Sequence, residues 1–379
     1  MENMKDLNST EMKLLHYMGK DPELTNAELA QLLGLKNPPY ISTLKADLEE
    51  KQYFVGPYYQ TNYGRIFKNR VRKSIAIILF EQPYEYMFAL LKNIDCFSYL
   101  YPIEERFFKS YMAGIFDSNT EAIKRIFDYL KREGVIFHYD LYIQNFLTHM
   151  IPPTFLTNSE GAPFDPPLNN LLENTETPNL SFGEFERMSL SPLERNLISS
   201  FEMGVTTLTQ IMEQEKARGN FFTYAEWKDA KEQLVNRRII QPVYDVFPFP
   251  AVYCSYFFLF VSAYTLHDIQ KILFNFGKNA RLRKMIFVWT SYQTGKTYGV
   301  IYCISHPEFT IRLLRQLDKY EEIKDKKLFM LRKKIPLWRA LWQGKSISLE
   351  EYDPESCTLY YPYDTYYEKV KTYVEENPW

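Results

Sequence analysis

Cysteine and histidine are scarce in this chain of 379 residues, which contains four cysteines and five histidines. Cys96, Cys254, Cys303 and Cys357 lie far apart without a Cys-x-x-Cys pair, and no two histidines have metal-binding spacing. Disulfide frameworks and structural zinc sites depend on such spacing. We therefore expect no disulfide, no metal and no cofactor, and we expect a reducing cytoplasm as the location.

An excess of one charge is also missing. Lysine and arginine number 45 against 47 acidic residues, which gives a formal net charge of −2. This balance excludes a histone-like polycation, so any nucleic-acid surface must be local. Because 46% of the residues are apolar, the chain can bury a large core, and its length predicts two to four domains.

Targeting and membrane segments are not expected. The opening residues, MENMKDLNSTEMKLL, contain acids and lack the basic and apolar regions of a secretory signal. Residues 246–266 carry no charge and are long enough to cross a bilayer. Pro248 and Pro250 interrupt this segment, and its aromatic and branched residues favour a buried strand. We expect no membrane contact.

Catalytic motifs are missing as well. The chain has no His-Glu-x-x-His or Gly-x-Ser-x-Gly pattern. Residues 291–297, SYQTGKT, end like a phosphate-binding loop, but Thr290 occupies the position where that motif requires glycine. We therefore expect no nucleotide site, no catalytic residues and no enzymatic activity.

What the sequence does contain is an internal repeat. Leu7, Glu11 and Leu14 match Leu190, Glu194 and Leu197 at an offset of 183 residues. Residues 118–130 match residues 305–317 at an offset of 187. Offsets that drift this slowly, as small loop insertions would cause, predict two copies of one structural plan.

Each copy begins with a helical module. In the first copy, Thr25-Asn26-Ala27-Glu28 predicts a capping box at the start of a helix, and Pro38 and Pro39 suit the first turn of the next one. Residues 53–55 and 58–59 predict a hairpin that turns at Gly56-Pro57. Three helices and a hairpin form a winged helix-turn-helix, which we place at residues 1–62 and 188–249.

The rest of each copy alternates strands and helices in the order βαββαβ, at residues 63–147 and 250–335. A proline-rich linker at 148–187 separates the copies, and an aromatic, acidic extension covers 336–379. The predicted fold class is therefore α+β, with two winged helix-turn-helix domains alternating with two ferredoxin-like βαββαβ sandwich domains.

This plan resembles two Lrp/AsnC (feast/famine) transcription regulators joined in tandem. The likeness depends mainly on TNAELAQLLGL, at 25–35, and YISTLKADLEEKQYF, at 40–54. The resemblance implies an archaeal or bacterial, cytoplasmic regulator that binds double-stranded DNA, forms a homodimer and senses a small-molecule effector. The turns at 103–106 (IEER) and 293–296 (QTGK) depart from the family's usual effector loop. We therefore expect no pocket for a free amino acid.

Polar side chains on the third helix of each module are the candidate DNA-binding residues, because a helix in the major groove reads bases with its outward face. In the first module they are Tyr40, Ser42, Thr43 and Lys45. In the second module they are Lys228, Lys231, Arg237 and Arg238. The alternative is a solvated helix face in a non-catalytic interaction or scaffold protein that retains the fold.

Two runs of basic residues lie outside the helical modules. Arg65, Lys68 and Arg70 follow the first wing without an intervening acid, as a phosphate-contacting linker would, although a solubilising surface run is equally consistent. The run at 324–345 favours protection of a sheet edge.

The C-terminal residues 350–379 are rich in tyrosine and acids. We expect them to pack over the second sandwich domain, with a partner-binding arm as the alternative.

Overall fold

The computed structural model describes residues 7–69, 71–105, 108–145, 149–157, 160–166, 168–177, 188–331, 349 and 351–378. The elements up to residue 161 are α1 (Ser9–Lys20), α2 (Asn26–Leu32), α3 (Pro39–Glu50), β1 (Phe54–Thr61), β2 (Arg72–Phe80), α4 (Tyr84–Leu91), β3 (Phe97–Glu105), β4 (Phe108–Asp117), α5 (Thr120–Arg132), β5 (His138–Gln144), β6 (His149–Ile151), β7 (Leu156–Thr157) and β8 (Glu160–Gly161).

The elements after residue 161 follow a similar order. They are α6 (Pro192–Glu202), α7 (Leu208–Ala217), α8 (Tyr224–Asn236), β9 (Ile240–Val246), β10 (Ser255–Ala263), α9 (Leu266–Asn275), β11 (Arg283–Ser291), β12 (Thr297–Ser305), α10 (Pro307–Leu317), β13 (Ile323–Leu331), β14 (Tyr352–Asp353), β15 (Thr358–Leu359) and α11 (Tyr363–Glu376). The chain is mixed α+β.

Local sequence explains where the helices begin. The predicted capping box at α2 is present: the Thr25 side chain accepts a hydrogen bond from the Glu28 amide, and the Glu28 carboxylate accepts one from the Thr25 amide at 2.8 Å. Equivalent boxes start α6 at Ser191 and α8 at Thr223. We call α1–α3 the first helical head and α6–α8 the second helical head.

The predicted wing hairpin is wrong. Residues 54–61 form one strand, β1, which pairs antiparallel with β9 of the other half rather than folding back on itself. A bulge between Val55 and Tyr58 falls where the hairpin turn was expected. Gly56 and Pro57 therefore distort a strand without reversing it, and the two helical heads are joined through a shared two-stranded ribbon.

The larger sheet closes on itself. Its strands follow the order β12-β10-β13-β3-β4-β2-β5-β11, and β11 also pairs with β12 to complete the ring. The β3-β4-β2-β5 layer meets the other layer through β3–β13 on one side and β5–β11 on the other. Apolar side chains fill the interior, and the helix pairs α4/α5 and α9/α10 contribute to the clusters on its outer faces.

The C-terminal extension lies over the first half, so its predicted docking on the second sandwich domain is wrong. Helix α11 packs against α4 and α5. The Tyr363 hydroxyl accepts a hydrogen bond from the Ser118 amide at 2.8 Å, and the Tyr367 ring lies 5.2 Å from the ring of Tyr129. Val370 is fully buried.

The proline-rich segment contributes structure of its own. β6 pairs with β11, and Leu168 and Leu171 are buried in the cluster that holds α9 and α10 against the sheet. This segment covers the helices of the second half much as α11 covers those of the first.

The basic run at 324–345 lies partly outside the described residues. Its described part belongs to β13, which pairs with β10 along most of its length and with β3 at Met330 and Leu331. The end of β13 therefore has a paired strand on each side and is not a sheet edge. The prediction that the basic run protects an edge is wrong there.

Candidate functional site: a cavity beneath the paired strands

The predicted DNA-reading face of the first head is only partly available. Tyr40 is 46% exposed, and Ser42 and Thr43 are also exposed. Ser42 accepts a hydrogen bond from the Asn26 side chain at 2.9 Å, and Lys45 donates one to the same side chain at 2.8 Å. Burial lowers the pKa of Lys45. The structure therefore uses Lys45 to join two helices.

Three of the candidate cations in the second head make contacts within the chain, although Lys228 stays exposed. The Lys228 ammonium lies 3.7 Å from the Glu232 carboxylate, and the Lys231 ammonium lies 4.8 Å from the ring centroid of Tyr59. Arg237 pairs with the carboxylate of Glu194. Among the four candidates in this head, Arg238 is exposed without an ion pair in the described part of the chain.

The basic run after β1 is held by the C-terminal extension. The Lys68 amide donates to the Cys357 carbonyl at 2.6 Å, and the Asn69 side chain donates to the Leu359 carbonyl at 2.7 Å. The Lys68 side chain is exposed and Arg65 is half-buried, whereas Arg70 lies outside the described residues.

A cavity of about 480 Å³ lies between the β1–β9 ribbon and one end of the closed sheet. β1 and β9 contribute one wall through Tyr58 and Asp245, and the inward faces of β11 and β12 contribute another. The volume is within the range of small-molecule sites in proteins.

A buried ion pair lies in this cavity wall. Arg283 on β11 is 1% exposed and Asp245 on β9 is 2% exposed, and the guanidinium Nη2 contacts the carboxylate Oδ1. The Tyr58 hydroxyl on β1 donates to the same carboxylate oxygen at 2.9 Å. Burial raises the pKa of Tyr58, which keeps this hydroxyl protonated. Burial opposes the charge of Arg283, but the combined influence of Asp245, Tyr58 and Tyr302 exceeds that effect, and the pKa of Arg283 is raised.

Several buried donors in the cavity wall lack partners. Nε and Nη1 of Arg283, Nε1 of Trp289 and the Tyr302 hydroxyl make no hydrogen bond within the described part of the chain. All three side chains are 1% exposed and line the cavity. Unpaired buried polar groups are costly, and arginine and tryptophan can only donate. The wall therefore suits a ligand rich in hydrogen-bond acceptors.

Aromatic rings surround these donors. The Phe258 ring lies 4.9 Å from the Tyr302 ring, and the Phe287 ring lies 5.0 Å from the Trp289 ring. On the opposite side the Tyr99 ring covers Gly114, where an added Cβ would lie 2.2 Å from Tyr99 Cε1. Such walls can accept a flat apolar body.

The second helical head closes part of the cavity. Phe201 and Glu202, at the end of α6, and Thr206, in the following turn, line it together with the strand residues. Lys73 of β2 also lines the cavity, and its ammonium lies 5.2 Å from the Phe116 ring centroid. A bound molecule would therefore touch both the sheet and a helical head.

Sequence reasoning missed this site. Arg283 and Lys284 introduce charge at the start of an apolar strand, RKMIFVWTS, and Asp245 interrupts the apolar run VYDVF. A charge inside a buried strand needs a partner, which is a signal that the sequence already contained. The pairing itself depends on contacts between separate strands.

No group of three or more metal-ligating side chains occurs among the described residues. None of the helices in the described ranges is long and apolar enough to span a bilayer. Residues 291–297 turn between β11 and β12, as expected for a hairpin rather than a phosphate loop.

Comparisons with known proteins give structural neighbours only. No family model and no curated protein matches the chain. The siroheme decarboxylase NirDL covers 97% of this chain and 99% of its own, at 12% identity and a TM-score of 0.41. NirDL in co-complex with an iron-uroporphyrin III analogue gives 13% identity, the same coverage and a TM-score of 0.42.

Shorter neighbours are transcription regulators. Mycobacterium tuberculosis LrpA shares 18% identity, covers 36% of this chain and 91% of its own, and gives a TM-score of 0.27. Escherichia coli AsnC is 13% identical, covers 36% of this chain and 91% of its own, and gives a TM-score of 0.30. Each of these two structures covers about a third of this chain, 36%.

The expectation that this protein has no enzymatic activity is wrong as stated. It rested on missing catalytic motifs, yet the matches that span nearly the whole chain are to an enzyme, siroheme decarboxylase. Motif scanning detects only those active sites whose residues are close in sequence.

Proposed function

We propose that this protein binds an organic carboxylate with a flat apolar body in the cavity beneath β1 and β9. The observation that supports the proposal is the set of unpartnered buried donors on Arg283, Trp289 and Tyr302 around one cavity. A carboxylate offers several acceptor lone pairs and forms strong charge-assisted hydrogen bonds with a guanidinium. The neighbouring rings would enclose the apolar part of the ligand.

Benzoate is a suitable first probe, with benzyl alcohol as its uncharged counterpart. Iron-uroporphyrin III, a larger polycarboxylate, and leucine complete the panel. A ligand at 100 times its dissociation constant stabilises the folded state by about 2.7 kcal/mol, which a thermal-shift assay detects. We expect benzoate to stabilise the protein, and benzyl alcohol and leucine to have no effect. Iron-uroporphyrin III tests whether a larger polycarboxylate is accepted as well.

Single-donor variants test whether the binding is at this cavity. Tyr302→Phe removes one donor with little change of shape, and Trp289→Phe removes one donor together with part of the indole ring. We expect each to weaken carboxylate binding by about threefold to tenfold. Tyr253→Phe, at a residue 56% exposed, is the matched control. Unchanged binding in both cavity variants would show that the proposed site is wrong. Mass spectrometry of the same mixtures reveals whether the bound carboxylate loses carbon dioxide.

We also propose sequence-specific recognition of double-stranded DNA by the helical heads, as in a transcription regulator. The exposed front of α3, with Tyr40 and Thr43, supports this second candidate. Replacing Thr43 and Lys45 with alanine should then reduce specific binding more than replacing Lys228 and Lys231. A salt titration on random duplex DNA provides the test, because phosphate contacts produce a steep salt dependence. A flat titration would favour the scaffold alternative.

An internal duplication would explain the two-headed arrangement. We propose that residues 1–147 and 188–335 are copies of one unit, each a helical module followed by a sandwich domain, with the boundaries given above. The antiparallel pairing of β1 with β9 supports this proposal, because it joins corresponding strands of the two halves within one chain. Such a chain would not need a homodimer to present two heads, and sedimentation analysis would measure its subunit number.

A further inference from the structure

The ribbon of β1 and β9 connects the two helical heads. β1 begins four residues after the end of α3, and β9 begins four residues after the end of α8. The strands pair from Phe54 opposite Val246 to Thr61 opposite Ile240. The mutual position of the heads therefore depends on how these two strands lie against each other.

One buried group connects the ribbon to the sheet. Arg283, on β11, contacts Asp245 of β9, and Asp245 in turn accepts the hydrogen bond of Tyr58 on β1. These three side chains come from three different strands, and each lines the cavity. Since Arg283 is almost completely buried, no solvent competes for its contact with Asp245.

We infer that occupation of the cavity by an organic carboxylate and the pairing of β1 with β9 are linked through Arg283, Asp245 and Tyr58. This inference rests on the proposed ligand. Within the part of the chain that the structure describes, Nε and Nη1 of Arg283 have no hydrogen-bond partner, and unpaired buried donors are costly. An anion on those two atoms fixes the side chain in the position that holds Asp245.

The second head provides a further contact. Phe201 and Thr206 line the same cavity, so a bound molecule touches the end of α6 and the turn after it as well as the ribbon. If the ligand favours one arrangement of the heads, then anything that stabilises that arrangement must strengthen ligand binding to the same extent. According to this inference, the ligand sets the relative position of the two helical heads.

Hydrogen exchange on the full chain, with benzoate as the probe, tests the link. We expect saturating benzoate to slow amide exchange in 54–61 and 240–246 by about fivefold or more, the lower end of typical coupling between sites. Exchange in α11, which lies on the outer face of the first half, should be unchanged.

Two variants remove the connection while the cavity donors remain. Tyr58→Phe deletes the hydroxyl that reaches Asp245, and Asp245→Asn removes the charge that pairs with Arg283. We expect both to retain measurable benzoate binding and, with benzoate at a saturating concentration for each variant, to lose most of the slowed exchange in the ribbon. Tyr253→Phe should behave like the unmodified protein.

The possible outcomes separate the two proposals. If benzoate does not bind, or binds without dependence on Tyr302 and Trp289, the proposed function fails and this inference fails with it. If benzoate binds at those residues but leaves exchange in 54–61 and 240–246 unchanged, the proposed function stands and the link is refuted. Slowed exchange that persists in both Tyr58→Phe and Asp245→Asn also refutes the link.

Discussion

Replacing Arg283 with methionine is the most informative single change to the stability of this protein. Methionine has an apolar body of similar length but cannot donate a hydrogen bond. The Asp245 carboxylate would then be 2% exposed with only the Tyr58 hydroxyl as its described partner. A buried carboxylate without a compensating charge is strongly destabilising.

The expected magnitude follows from the burial of both partners. Removing one partner of a buried ion pair typically costs about 3–5 kcal/mol. The hydrogen bond from Tyr58 remains, so we expect Arg283→Met to lose about 3 kcal/mol. The double variant Arg283→Met/Asp245→Asn should recover at least half of that loss, because asparagine keeps an acceptor for Tyr58 and carries no charge.

Urea unfolding followed by far-ultraviolet circular dichroism measures these differences. The two single variants and the double variant form a thermodynamic cycle that isolates the interaction of Arg283 with Asp245. Arg315→Met, at an exposed position on α10, is the control and should change stability by less than about 0.5 kcal/mol. A loss below about 1 kcal/mol in Arg283→Met, or a double variant less stable than both single variants, would refute the reasoning.

Further predictions concern buried contacts elsewhere. Burial lowers the pKa of Lys284 to about 7. Between pH 7 and pH 10.5 the unfolded chain therefore binds more protons than the folded chain, and the free energy of unfolding should rise with pH. Lys284→Met should flatten this rise when urea unfolding is measured at a series of pH values. Gly114→Ala forces a Cβ against Tyr99 and should cost about 1–3 kcal/mol by calorimetry. Tyr366→Ala, at a residue 2% exposed, should release α11 and increase its proteolysis.

Each of these changes has a matched control. Lys319→Met removes an exposed ammonium and should leave the pH dependence unchanged. Gly161→Ala places a Cβ where no atom lies within 4 Å, so the stability of the protein should be unchanged. Tyr360→Ala, at a residue 62% exposed, should leave α11 protected. A control that matches its test variant would contradict the corresponding prediction.

Local structure was largely determined by sequence. Thr25 and Glu28 specify the start of α2 through hydrogen bonds between residues three apart, and the structure contains both. The apolar residues Ile41, Leu44 and Leu48 predict the buried side of α3, and all three are buried. Such features depend on neighbours along the chain and can be read before the fold is known.

Pairings between distant segments were decided by tertiary structure. Gly56-Pro57 has the composition of a turn, but β9 provides a partner strand that keeps β1 extended apart from a bulge. The tyrosines of α11 fit an apolar surface on either half, and only packing selects α4 and α5. Sequence composition shows which strands and helices have an apolar face that must be covered. It does not show which of several apolar surfaces in the chain will cover that face.

The candidate site combines both kinds of information. Asp245 and Arg283 stand in apolar stretches of the sequence, and a charge that becomes buried there requires an opposite charge. Their meeting required the ribbon to cross the end of a closed sheet, a contact between residues 38 positions apart. Because a cavity is the space left between packed elements, no local pattern encodes its volume or the donors that remain unpaired around it.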